Sequence, residues 1–119
     1  RMISCKGRNV WRQQSGKWST AAIGIDDQGR GLLIHVRSPY NTYDLINMLL
    51  ELPLRISRAM YTEGGREAQL YVHSGSGAQE YEFIGSYGVG FMENTDNHYA
   101  APIPNVIGIA RREKPGEQG

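Results

Sequence analysis

The chain has 119 residues, 39% of them hydrophobic, and its 13 Lys and Arg against 12 Asp and Glu leave a formal charge of +1. That length is one domain or part of one, with enough chain to bury about 65% of its unfolded surface. The near-balance of charge, with no basic stripe interleaved with aromatics, argues against a nucleic-acid partner, and no apolar run approaches the ~20 residues of a membrane-spanning helix.

The chain opens on Arg1 with no signal-peptide pattern, which reads as a processed or trimmed piece or as a chain whose upstream part is absent. Met2 to Cys5 reads as a strand. Cys5 is the only cysteine, so it is either a buried reduced thiol or half of a bridge to a cysteine upstream. Trp18 to Ile25 and Gly31 to Arg37 flank Asp26-Asp27-Gln28-Gly29-Arg30. Two apolar runs around such a loop predict a β-hairpin. In the second run Leu32, Ile34 and Val36 alternate with Leu33, His35 and Arg37, giving one apolar face and one mixed face. Ser38-Pro39-Tyr40 predicts the end of that strand. Asn41 then stands as an N-cap with Asp44 in the first turn. Leu45, Met48, Leu49 and Leu52 fall at helical spacing, and Pro53 closes the helix.

Ile56–Tyr61, Gln69–His73 and Glu80–Ile84 read as further strands. The Ser74-Gly75-Ser76-Gly77 loop between the last two lacks the lysine and the helix of a phosphate cradle, so it reads as a turn. Gly85 to Ala101 is a long loop. Its Glu93-Asn94-Thr95-Asp96-Asn97 run lacks the spacing of a calcium loop, and neither metal nor cofactor is expected. Val106 to Ile109 reads as a short buried strand, followed by a flexible tail over 112–119. The fold class is α+β: a mixed, largely antiparallel sheet with one main helix, about 42–52, packed on a face.

Chemistry concentrates in Glu63-Gly64-Gly65-Arg66-Glu67. Paired glycines adopt angles closed to other residues and let a ligand approach the main chain. A carboxylate at the mouth of such a turn is placed for binding or catalysis. The alternative is that Glu63 only accepts hydrogen bonds from the amides of a tight turn.

Four segments carry a likeness in order: Ala21-Ala22-Ile23-Gly24-Ile25 before a D-x-x-G turn; the leucine-rich helix from Asp44 to Leu52; Ala59-Met60-Tyr61-Thr62-Glu63-Gly64-Gly65; and Ile103-Pro104-Asn105-Val106-Ile107-Gly108-Ile109. Together they resemble the phosphodiester glycosidase family over about residues 18–110. The resemblance implies that residues 1–111 form the C-terminal part of such a domain. The chain departs from the family's pattern at Thr20, where an arginine is usual, at Glu63 in place of aspartate, and at Arg66 to Ala68 in place of glycine and serines.

Such enzymes cleave a sugar C1–O–phosphate bond, in which phosphate already leaves well. A carboxylate steadies the developing oxocarbenium ion and a base activates water. For that chemistry Glu63 is the leading carboxylate, as acid or base, and Glu67 in the same turn is a second one, with Gly64 and Gly65 offering amides to the substrate. Arg66 and Arg37 would clamp phosphate, because guanidinium binds it bidentately, and Asn105 would hold substrate. The resemblance also implies an extracytoplasmic location, a carbohydrate or glycosyl phosphodiester partner, and a link through Cys5 to an upstream part of the same precursor. A non-catalytic glycan or cell-envelope binding module on the same scaffold is the rival reading.

Overall fold

Small residues in the central strand and an amphipathic helix set the architecture. The structure, a computed structural model, describes residues 1–73, 79–86, 97–100 and 102–112. Strands β1 (Trp18–Asp26), β2 (Gly31–Tyr40) and β3 (Ile56–Gly64) form an antiparallel sheet in the order β2-β1-β3, and β4 (Gln69–His73) pairs antiparallel with β5 (Glu80–Ile84). The single described helix, α1 (Thr42–Glu51), follows β2. This is the expected α+β class, with no helix among the described residues long and apolar enough to cross a membrane.

The hairpin forms where the sequence places it. Asp26 accepts from the amides of Gln28 and Arg30 and from Arg30 Nε at 2.7 Å, and Gly29 takes φ +81°. The strand does not stop at Ser38, however: β2 continues through Pro39 to Tyr40. Pro39 lies on an edge strand, opposite the register shift between Trp18 and Thr20, and both positions tolerate a residue that cannot donate to a ladder.

Asn41 caps α1 as its sequence position implies, accepting from the Tyr43 amide at 2.9 Å, while its side-chain amide donates to the Gln14 carbonyl. Leu45 and Leu49 are buried, but Leu52 is 51% exposed. The helix ends at Glu51, and the extended backbone of Leu52 turns it off the helical stripe. Ile46, absent from the expected stripe, is fully buried instead. With Leu45 and Leu49 it packs against Ala22, Ile56 and Ala59 of the sheet and against Met2 and Ile3, flanked by Leu32, Ile34, Val36 and Tyr61. Burying each such aliphatic side chain contributes about 1.5–3 kcal/mol.

Two further expectations need correction. Met2 to Cys5 is not a strand: only Ile3 makes bridges, to Asn9 and Ala59. The chain reverses after it because Ser4 Oγ accepts from the amides of Lys6 and Arg8 and Gly7 takes φ +70°. Cys5 sits in that reversal, exposed and free, so it is not a buried thiol. Likewise Val106 to Ile109 is neither a strand nor buried, with Val106 76% and Ile109 72% exposed. The Ser74–Gly77 turn, the Glu93–Asp96 run and the tail from 113 onward lie outside the described residues.

Candidate functional site

Glu63 is not in the turn its glycines suggest. It is on β3, paired with Ala21, and Gly64 is paired with Thr20. Between them and the core the ladder slips: Ala21 faces Glu63 while the next residue, Ala22, faces Tyr61. Thr62 is the extra residue, and its hydroxyl donates to the Ala21 carbonyl at 2.8 Å. Such a bulge re-aims the side chains beyond it. Tyr61 therefore packs with Trp11 at the core, while Thr62 and Glu63 turn to the opposite side.

That side is an open cleft of about 880 Å³. Its floor is Ala21, Ile23 and Leu33. Glu63, Glu67 and Asn105 all line it. Glu63 is exposed; Oε1 accepts from the Gly64 amide at 3.1 Å, and it makes no ion pair among the described residues. Burial raises the neighbouring Tyr61 hydroxyl above its ordinary pKa, and the charge of Glu63 adds to that rise. Glu67 is exposed on the 3-10 turn Gly65–Glu67, which Ala68 closes by donating its amide to the Gly65 carbonyl at 3.1 Å. Residues 103–109, outside any strand and exposed from Pro104 on, form the cleft's other wall.

The remaining site residues fall elsewhere. Gly64 and Gly65 are buried and do not line the cleft, and the Gly64 amide is already used by Glu63. Their smallness serves packing. A Cβ on Gly64 would run into the Tyr61 hydroxyl and lie 2.8 Å from the Trp18 ring, and Gly65, at φ +73°, brings its carbonyl against Gly85. Arg66 is exposed on the turn, outside the cleft lining. Arg37 is set apart from Glu63: it donates to the carbonyls of Ile84 at 2.7 Å and Asn97 at 2.9 Å, tying β2 to β5 and to the segment beyond it. Thr20 is fully buried opposite Gly64, and among the described residues its hydroxyl has no partner.

Sequence reasoning missed the contribution of β4. Gln69, Tyr71 and His73 line the cleft beside Leu70. Their i, i+2, i+4 spacing was the available signal, since alternate strand residues share a face. His73 stands 3.8 Å from Glu80 Oε1 across the hairpin.

With this geometry in place, comparison with known proteins adds one positive finding: residues 1–110 match the phosphodiester glycosidase family. Neither a curated protein nor a solved structure is significantly similar to the chain.

Proposed function

The chain belongs to the phosphodiester glycosidase family, and we propose that its cleft takes a glycosyl phosphodiester and hydrolyses the sugar–phosphate bond, with Glu63 at the reacting carbon. The observation that carries this reading is the exposed Glu63 carboxylate on the bulged end of β3, sharing one cleft with Glu67 and Asn105. One carboxylate oxygen is oriented by the Gly64 amide. The other faces developing positive charge at C1 or accepts a proton from the attacking water. Glu67 supplies the second acid in the same cleft, and Asn105, held after Pro104, offers an amide to sugar hydroxyls. Phosphate departs toward Arg66, one residue from Glu67. Gly64 and Gly65 shape the backbone behind the acid, and Arg37 braces the fold. Action outside the cytoplasm goes with this chemistry. The exposed Cys5 thiol is accessible for a bridge to an upstream part of the precursor, which non-reducing mass spectrometry of the natural protein would detect.

The test is release of free reducing sugar from a methyl phosphodiester of a sugar. Glu63→Gln is expected to lower turnover by about 10²–10⁴-fold with the melting temperature unchanged, and Arg66→Ala to raise KM. Turnover insensitive to Glu63→Gln overturns the assignment.

A second reading is favoured by one observation: among the described residues no Lys or Arg lines the cleft, so a phosphate inside it meets carboxylates without a clamp. On that reading the domain binds glycan without cleaving it. It predicts no turnover, and saturable glycan binding that survives Glu63→Gln.

A further inference from the structure

A second cavity, of about 320 Å³, shares no lining residue with the cleft. It lies where β2 faces β5 and is lined by His35, Arg37, Glu82, Phe83, Ile84 and His98. We propose that this cavity is a separate binding site for a single neutral sugar ring, which stacks on Phe83 and hydrogen-bonds the polar groups around it.

Three observations carry the assignment. The first is an aromatic surface. Phe83 is 43% exposed, and the ring of Tyr81, two residues away on β5, is parallel to it within 5° at 6.3 Å between centroids. Tyr81 is held in place by its hydroxyl, which donates to Gln79 Oε1 at 2.7 Å. The His35 ring lies 6.0 Å from Phe83, tilted by 35°, and forms the adjoining wall. A pyranose has an apolar C–H face that packs on an aromatic ring and a rim of hydroxyls that needs donors and acceptors. A cavity pairing an aromatic wall with a few convergent polar groups fits that combination.

The second observation is charge. The cavity holds one fixed cation, Arg37, and one fixed anion, Glu82. Burial keeps His35 neutral to a lower pH than usual, with the Arg37 charge acting the same way, although the Ala68 carbonyl 2.8 Å from Nε2 opposes both. With the fixed charges compensated, a neutral polyhydroxy ligand suits the site better than phosphate or a carboxylate.

The third is rigidity. His35 is anchored to Ala68, and Arg37 to Ile84 and Asn97. His98 follows Asn97, which is itself buried, with its side-chain amide donating to the Gly85 carbonyl at 2.7 Å and its backbone amide to Ser86 Oγ at 3.3 Å. The His35 and Arg37 side chains are thus held in place before a ligand arrives, which lowers the ordering cost of binding. The volume is at the small end for ligand pockets and admits one ring rather than a chain.

The experiment is saturation-transfer NMR on the whole chain with the methyl glycosides of glucose, galactose and N-acetylglucosamine. At least one is expected to receive saturation on the ring protons of a single face. Phe83→Leu keeps an apolar side chain but removes the ring, and is expected to weaken that sugar by about fivefold. Glu82→Gln, tested beside it, is expected to weaken binding without changing the melting temperature. Glu63→Gln is expected to leave the signal intact, so failure of this site and failure of the cleft chemistry are told apart. No transfer to any of the three sugars overturns the proposal. So does equal transfer to the Phe83→Leu protein, or displacement of the sugar by inorganic phosphate at millimolar concentration.

Discussion

Asp26, in the β1–β2 turn that Gly29 completes, and Glu63, next to Gly64 at the end of β3, are acids in opposite environments. Asp26 is buried, and its two oxygens accept from the amides of Gln28 and Arg30 and from Arg30 Nε. Burial alone would raise its pKa, but these hydrogen bonds and the Arg30 charge outweigh it, and the net direction is down. Glu63 is exposed and, among the described residues, accepts only from the amide of its own neighbour, Gly64. An acid whose acceptor sites are filled by its own turn is a structural part of that turn. An exposed acid with capacity to spare, on the wall of a cleft, is available to a ligand.

Exchanging the charge at each acid breaks the comparison most directly. Glu63→Gln is expected to leave stability within about 0.5 kcal/mol while removing turnover. Asp26→Asn is expected to do the reverse, lowering the melting temperature while the folded fraction retains its activity. Thermal melts and sugar release measured on both variants decide it. The sign of the acid effect follows from the depressed pKa of Asp26. Its stabilisation is complete above the unfolded value of about 4 and is lost as pH falls through the lower native value. Acid melts of the Asp26→Asn protein should therefore lack part of the destabilisation below about pH 4 that the parent shows.

The glycines sharpen the contrast by smaller amounts. Gly64→Ala places a Cβ against the Tyr61 hydroxyl and the Trp18 ring, with an expected loss of about 1–3 kcal/mol in urea denaturation. Gly29→Ala at the Asp26 turn meets no neighbour within 4 Å and carries only the strain of φ +81°, about 1 kcal/mol. A larger loss at Gly29 than at Gly64 would show that conformation rather than clearance governs both. The smallest expected effect is at His35. Its lowered pKa means that folding favours the neutral ring, so this contribution is complete above about pH 6.5 and declines below it. His35→Gln should remove that slope from melting temperatures measured between about pH 7 and 5.

Much of the fold was legible in the chain because local chemistry dictates it. The Asp-x-x-Gly turn set the first hairpin, Asn41 and Pro53 bracketed the helix, and Gln69–His73 and Glu80–Ile84 read as strands with the bounds the structure shows. Readings that needed distant partners went astray. Met2 and Ile3 bury because Ala59 lies beside them, and Ile46 because the sheet does. Val106 to Ile109 is as apolar as a core strand, yet among the described residues no strand pairs with it.

The same division holds at the candidate site. Residue types in a row singled out Glu63, Glu67 and the glycines, since turn-forming glycine and a titratable carboxylate are properties of the chain itself. Which acids line the cleft was decided only in three dimensions. A one-residue slip at Thr62 turns Glu63 to the cleft, the packing of β5 against β2 draws Arg37 away to backbone carbonyls, and β4 contributes Gln69, Tyr71 and His73. Strand register and the approach of remote segments are cooperative outcomes of packing, and no short window of sequence contains them.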